Sequence, residues 1–295
     1  MIRVVIPVHD RLELTRACLA SLCAQTFRDF VVYVVDDGST DGTFEALRAD
    51  YPEVIVLRGN GHLWWAGATN RGVGRALQEA GPSDYVLTLN NDAVAPADYL
   101  EKMVRTADAS AAGALGSVLV KASDESSVVD AGVLMDWATA KYTFLGPGRS
   151  VGQLTEQRTG PYAVDLLCGC GTLFPVRVFR QLGLYAADKL PHYAADYEFA
   201  NRVRRSGEQV LVNPEGILLV EDKETGLHGD MSRLGVAGFV RTFLSIKSAH
   251  ALRYRFRFAL LACPRRQLPT YLACDVARLV VGGTRRWLGR GSGAA

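Results

Sequence analysis

Three apolar runs near the start of the chain each stop at a polar turn that carries an acid, and this repetition limits the fold more than any other feature. The runs Ile2-Arg3-Val4-Val5-Ile6-Pro7-Val8 and Phe30-Val31-Val32-Tyr33-Val34-Val35 lead into His9-Asp10 and Asp36-Asp37-Gly38-Ser39-Thr40-Asp41, and Leu87-Thr88-Leu89 leads into Asn90-Asn91-Asp92. The first two have the density of β-branched residues found in strands buried on both faces. The segments between the runs have helical periodicity and the length of crossovers. The strands are therefore predicted to run parallel, with their carboxyl ends on one rim. In an open α/β sheet that rim borders the ligand crevice. Asn and Asp also close ordinary turns, so each acid keeps a second reading as a turn or cap residue.

The alternation continues along the chain. A helix is predicted over 12–25, with Leu14, Ala17, Cys18, Ser21 and Leu22 on its sheet-facing stripe. Ser39, Thr40 and Asp41 are candidate N-caps for the next helix. After a strand at 54–57 comes Gly59-Asn60-Gly61-His62-Leu63-Trp64-Trp65-Ala66-Gly67-Ala68-Thr69-Asn70. The paired tryptophans admit two readings: one ring walls a pocket while the other packs inward, or they staple the start of a helix over 67–80. Beyond Asp92 the pattern predicts a helix, an apolar strand over 114–120 and a polar loop over 122–127. Residues 142–160, rich in Gly, Ser and Thr, are predicted to be an active-site flap or acceptor loop. Strand-like 163–167 enters Cys168-Gly169-Cys170-Gly171-Thr172. Asp196 and Glu198 then stand at the start of a helix through Ser206, where Asp196 is either a reactive carboxylate or a cap.

Charge is divided unevenly. Twelve of the 33 Lys and Arg but only one of the 31 Asp and Glu follow Asp230, which leaves that tail at about +11 and the first 230 residues at about −9. Arg253, Arg255 and Arg257 interleave with Tyr254, Phe256 and Phe258. This predicts either a helical extension over 231–295 that seeks an anionic membrane surface, or a helical cap with a basic solvated face. A lipid partner is favoured over nucleic acid. Charges interrupt every long apolar run, so a spanning helix is not expected. The chain opens on a strand with no basic-then-apolar leader, which points to the cytoplasm, with peripheral attachment at the inner membrane face. Cys168 and Cys170 invite a metal reading, but no second Cys or His pair stands at zinc-site spacing, and buried thiols are expected.

Pro-Val-His-Asp after the first strand, Val-Val-Asp-Asp-Gly-Ser-Thr-Asp-Gly-Thr after the second and Asn-Asn-Asp after the fourth together resemble the family-2 glycosyltransferases. The resemblance covers residues 1–230 and implies the GT-A nucleotide-diphospho-sugar transferase fold, with a donor-binding half at 1–110 and an acceptor-binding half at 111–230. Trp-Trp-Ala-Gly-Ala-Thr-Asn looks like the rhamnosyltransferase branch, whose enzymes build cell-surface polysaccharides. It implies a dTDP-rhamnose or UDP-sugar donor and a glycan or lipid-linked glycan acceptor. It places Pro7, Val8, His9, Asp10, Asp37, Trp65, Gly67, Asn70, Asn90, Asn91 and Asp92 at the nucleotide sugar, and Gly171, Thr172, Tyr193 and Glu198 at the acceptor. It makes Asp92, with His228, a ligand of Mg2+ or Mn2+, and Asp196 the general base of an inverting transfer. Two departures stand out: Asn91 occupies a position acidic in many relatives, and Ala195 replaces the first acid of a Glu-Asp-x-Asp pattern.

Three rivals compete with this reading. A dinucleotide-binding oxidoreductase and a sugar-nucleotide nucleotidyltransferase would both need a glycine-rich loop after the first strand, where Pro7-Val8-His9-Asp10 stands instead. A catalytically silent nucleotide-sugar-binding module would not need both Asp92 and Asp196.

Overall fold

The computed structural model describes residues 1–221, 241–246, 248 and 250–288. The first half of the chain forms β1 (Ile2–Val8), α1 (Leu12–Cys23), β2 (Phe30–Asp36), α2 (Thr43–Asp50), β3 (Ile55–Arg58), α3 (Trp64–Glu79), β4 (Tyr85–Thr88), β5 (Ala93–Val94), α4 (Tyr99–Ser110) and β6 (Ala114–Lys121). Then follow β7 (Asp124–Asp130), β8 (Val133–Asp136), β9 (Lys141–Phe144), α5 (Val151–Gln157), β10 (Tyr162–Ala163), β11 (Thr172–Pro175), α6 (Val176–Leu182), α7 (Ala195–Arg205) and β12 (Val210–Val220). Two further helices, α8 (Leu252–Ala262) and α9 (Leu268–Leu288), complete the described chain.

The main sheet has the order β10-β12-β6-β11-β4-β1-β2-β3, with β5 paired to β12 and β7 to β6, while β8 and β9 form a separate hairpin. The pairs β1–β2, β1–β4, β2–β3 and β6–β12 are parallel, and β11 runs antiparallel to both β4 and β6. Period-two alternation sends Val4 and Ile6 of β1 into one apolar cluster with Leu19 and Leu22 of α1 and Tyr99 of α4. It sends Val5 into the opposite cluster with Val73 and Ala76 of α3 and Phe199 of α7. The result is helices on both faces of a mostly parallel mixed sheet. Phe258 of α8 and Tyr271 of α9 belong to the second cluster, and Trp137 stacks on Phe258 with ring centroids 5.9 Å apart. The inward faces of the tail helices are thus part of the body, as the helical-cap reading expects.

Several local expectations change. The buried stripe of α1 is Thr15, Cys18, Leu19 and Leu22, and Ala17 is exposed. Thr15 can be buried because its hydroxyl donates to Arg11 O and accepts from Asn91 Nδ2. Asp41 serves two helices: one carboxylate oxygen accepts the Leu12 N–H of α1 at 3.0 Å, and the other accepts the Thr43 N–H of α2 at 3.1 Å and the Thr43 hydroxyl. Helix α3 starts at Trp64 rather than three residues later. Residues 122–127 are not a loop, because they feed β7, an edge strand whose polarity reflects its solvent face. Residues 142–160 are not an unstructured flap; they hold most of β9 and then α5. Ser150 and Gln153 close a capping box at the start of α5.

Helix α3 lies so close to the sheet that a Cβ on Gly72 would sit 2.4 Å from Val5 Cγ1 and 3.1 Å from Val35 Cγ2, whereas one on Gly74 would meet nothing within 4 Å. Gly72→Ala is expected to cost about 1–3 kcal/mol by overpacking. Gly74→Ala should gain roughly 0.5–1 kcal/mol from helix propensity. Urea denaturation of the two variants measures both, and shifts of the same sign would contradict this account of the helix–sheet contact.

Candidate active site

The parallel register pairs Val8 with Asp36 and Asp36 with Arg58, so the turns after β1, β2 and β3 emerge side by side. Asp37 builds this rim. Its Oδ1 accepts the Gly61 N–H at 2.9 Å, and its Oδ2 accepts those of Leu63 and Trp64 at 2.8 and 3.0 Å. Three amides on one carboxylate hold the loop that delivers the tryptophans, including Trp64 in the left-handed region at φ 57°. Asp36 is fully buried; its Oδ1 takes the amide and hydroxyl of Ser39, while its Oδ2 accepts no hydrogen bond among the described residues. Asp10 Oδ1 accepts the Thr40 N–H at 2.8 Å, and the exposed His9 ring bonds Asp37 O through Nδ1. Pro7 is partly buried, and the Val8 side chain is in the core with its carbonyl taken by the Asp37 amide.

The end of β4 separates three residues that look alike in sequence. Asn90 Oδ1 accepts the Trp65 indole N–H at 3.0 Å. Asn91 is buried and turned toward α1, where its Nδ2 donates to Thr15 Oγ1 at 3.0 Å, so it supports the turn instead of facing a ligand. Asp92 keeps part of its side chain exposed at this turn, with Arg11 Nη1 3.6 Å from Oδ2. Burial raises its pKa; the Arg11 charge opposes the rise and Glu221 adds to it. Glu221 follows directly on Val220, the residue of β12 that pairs with Ala93, which is how it comes beside Asp92. Asn70 lies away from the rim: its amide group makes two bonds, at 2.8 and 2.9 Å, to the backbone of Tyr185. Gly67 lies in the first turn of α3 against Leu63.

Trp65 joins this rim to the second half of the site. Its ring meets Tyr185 edge-on at 5.3 Å and covers Gly169, where a Cβ would lie 2.1 Å from Trp65 Cζ2. The Gly169 N–H in turn donates to Asp196 Oδ2 at 2.9 Å, and Asp196 Oδ1 accepts the Tyr197 N–H at 2.9 Å. Burial pushes the Asp196 pKa up to about 6, against those two backbone bonds and with help from the neighbouring Asp130 charge. Ala194, at φ 65°, turns the chain so that α7 presents Asp196 in its first turn. Ala66 N–H donates to Pro191 O at 3.0 Å, and the Trp64 and His192 rings lie 5.9 Å apart, fixing the same approach.

Asp196 lines a cavity of about 520 Å³. The body contributes Tyr142, Phe144, Tyr193 and Tyr197, and the tail helices contribute Tyr254, Arg255, Phe258 and Tyr271. Three of the expected acceptor residues do not reach it. Glu198 is buried on the other side of α7, where Arg202 binds it at 3.0 and 2.6 Å. The space beside Gly171 is filled by Leu218 and Ser117, and Thr172, 1% exposed, gives its hydroxyl to Cys168 O. Small residues there admit protein, leaving no room for a sugar. Tyr193 does line the cavity.

His228 lies outside the described residues. Arg11, Asp130 and Glu221 were missed in the sequence. Glu221 was findable, because it ends an apolar strand as Asp92 does. Asp130 becomes relevant only through the packing of β7.

The family model described as "Glycosyl transferase family 2" matches residues 3–183. Uncharacterized glycosyltransferases of Rickettsia typhi and Rickettsia prowazekii are each 24% identical over 203 residues, 67% of this chain, and the chain spans 57% of their length. GalNAc-T7, in a crystal structure with UDP, GalNAc and Mn2+, aligns over 97% of this chain and 58% of its own, with a TM-score of 0.62 and 15% identity. Residues 1–349 of S. aureus TarS align over 95% of this chain and 80% of theirs, with a TM-score of 0.52 and 13% identity. The fold is GT-A, and with more than half of its length matched the chain belongs to glycosyl transferase family 2.

Proposed function

We propose that the chain is a metal-dependent, inverting glycosyltransferase that moves a sugar from a nucleotide-diphosphate donor to a hydroxyl of a glycan or lipid-linked glycan acceptor. The observation that carries this reading is the unbroken path of contacts from the Asp92 turn through Asn90, Trp65 and Gly169 to Asp196, which links two carboxylates whose pKa burial raises. The donor, dTDP-rhamnose or a UDP-sugar, would lie along the rim of 1–110, with the acceptor on the side of 111–230. The polymer built would be a cell-surface polysaccharide.

The residues present fit a hard divalent cation, Mg2+ or Mn2+. Asp92 is partly buried with one cationic neighbour, and Glu221 adds a second carboxylate. Among the described residues no group of three or more candidate ligands could hold an ion unaided. Such ions commonly take one or two carboxylates and complete their shell with water and substrate phosphates. When bound, the ion would neutralise charge on the leaving diphosphate as a Lewis acid. Arg11 is placed to add to that field. Asp196 takes the proton from the acceptor hydroxyl. Near neutral pH a carboxylate with a pKa of about 6 is ionised yet more basic than an ordinary one. Attack from the side opposite the leaving group inverts the anomeric carbon.

The tail helices support attachment to an anionic membrane surface. Leu252, Phe256 and Leu260 of α8 and Val276 and Val280 of α9 are exposed, as are Arg253, Arg265 and Arg266. Asp275, the single acid after Asp230, is buried against Arg255. Exposed apolar residues interleaved with exposed arginines of the same helices suit lipid headgroups of negative charge. Among the described residues no helix is long and apolar enough to cross a membrane.

Thermal shift with UDP-, dTDP- and GDP-sugars tests the donor reading. A ligand at 100-fold over its Kd stabilises by about 2.7 kcal/mol, and this shift should require Mn2+ and vanish in Asp92→Ala. Asp196→Asn should keep the shift and lower kcat by about 10²–10⁴-fold; donor binding with no nucleoside diphosphate release in wild type would favour the silent module. The wild-type kcat/KM should fall below pH about 6. Because the native Asp196 pKa exceeds the unfolded value, the native state holds the extra proton between them, and that stabilisation disappears as pH rises through about 6. Asp196→Asn should therefore gain in melting temperature relative to wild type between about pH 4.5 and 7.5. Phe256→Ser with Leu260→Ser should release the protein from phosphatidylglycerol vesicles; retention equal to wild type would end the membrane proposal.

A further inference from the structure

The cavity beside Asp196 has two walls of different origin. One comes from the body; the other comes from α8 and α9, which lie beyond the segment that matches the family. The walls are joined by specific contacts. Tyr142 and Tyr271 share a hydroxyl–hydroxyl hydrogen bond at 2.8 Å, Tyr142 stacks on Tyr197 at 6.3 Å, and Trp137 packs against both Phe258 and Tyr271. Arg255 reaches the cavity already bound by both nitrogens to Asp275. The wall is therefore fixed in place before any ligand arrives.

We propose that α8 and α9 form the acceptor-selecting wall of this cavity, and that the ligand they hold is a neutral pyranose ring stacked on tyrosine. The proposal rests on the transferase reading of Asp196 and names the class of acceptor unit next to it. The chemistry of the lining excludes the main alternatives. A purely aliphatic chain would strip water from Asp196 and from the Arg255–Asp275 pair and return no hydrogen bond. A phosphate would meet a carboxylate and one cation whose charge Asp275 already offsets. A pyranose has an apolar C–H face and a rim of hydroxyls. Aromatic rings present a negative face to polarised C–H groups, and sites for such ligands are mostly apolar with a few placed polar groups. At about 520 Å³ the cavity is within the usual size of a small-molecule site. Phe144, half exposed and stacked on Tyr142, and Tyr254, partly buried against the second apolar cluster, are lining rings that keep surface free to meet a ligand.

Saturation-transfer NMR on the full chain with a panel of methyl hexopyranosides, methyl rhamnoside and methyl N-acetylglucosaminide tests this directly. Transfer onto ring C–H protons of at least one glycoside is expected in wild type. It should weaken about tenfold in Phe144→Ala/Tyr254→Ala and persist in Tyr254→Trp, which keeps an aromatic face. No transfer from any glycoside in wild type, or transfer unchanged in the double variant, overturns the proposal. So does displacement of a bound glycoside by dodecyl phosphate but not by a second glycoside, which would mark a lipid cavity. Circular dichroism checks that the variants fold, and the wild-type arm decides the matter if they do not. Donor binding by thermal shift is read in parallel on the same samples. In wild type, glycoside transfer without donor binding would count against the transferase reading, and donor binding without glycoside transfer against the aromatic wall; in Phe144→Ala/Tyr254→Ala, weakened glycoside transfer with donor binding retained is the expected result.

Discussion

Gly169 has no side chain because the ring of Trp65 occupies the place where one would begin. That contact joins the rim built by β1, β2 and β4 to the carboxylate carried by α7, and neither partner can change without moving the other. Any Cβ at position 169 would push the indole off Asn90, or pull the backbone amide off Asp196. Protein interiors do not absorb such displacements gradually, since close-packed groups have few alternative arrangements. Together with the Ala66–Pro191 hydrogen bond and the Trp64–His192 contact, that ring on that peptide ties the turn before Asp92 to the helix that carries Asp196.

Around that contact, most of the polar groups near the crevice support the backbone. Asp37 holds three loop amides, Asn91 holds α1, Asn70 holds Tyr185 and Glu198 holds Arg202. Each is buried or partly buried and paired, as such groups must be if they are not to carry a desolvation penalty. Asp92 and Asp196 differ from them. Burial raises the pKa of both, and in neither do the neighbouring donors and cations cancel the effect. This difference in environment, more than residue type, separates reactive candidates from scaffold.

The parallel order of the first strands and the shared rim at their carboxyl ends were legible in the sequence, because hydrophobic periodicity and strand-end acids report directly on a parallel sheet. Trp65 packing inward was one of two readings that the Trp-Trp pair allowed. What could not be read was direction. Asn90, Asn91 and Asp92 are consecutive, yet they lie against an indole, a helix and the Arg11 guanidinium, a distinction made by neighbours 25, 76 and 81 residues away in the chain. Glu198 and Asp196 stand two apart on one helix, which places them on different sides of it. The first residues of edge strand β7, over 124–127, read as loop because a solvent-facing strand lacks the apolar signal that identifies a buried one. The tail gave a correct count of charge, but its aromatic residues divide between inward and outward faces, and only packing assigns them.

The Cys168-Gly169-Cys170 step has one more consequence. Both sulfurs lie against acidic neighbours in a dry setting, Cys168 near Asp130 and Asp196 and Cys170 near Asp92, and burial together with those charges pushes both thiols well above their ordinary range. Since the thiolate is the form that reacts with oxidants and alkylating agents, the raised pKa of each makes this Cys-x-Cys pair less reactive than its sequence suggests. The peptide that carries the Trp65 contact is thereby flanked by two thiols held back from the thiolate form.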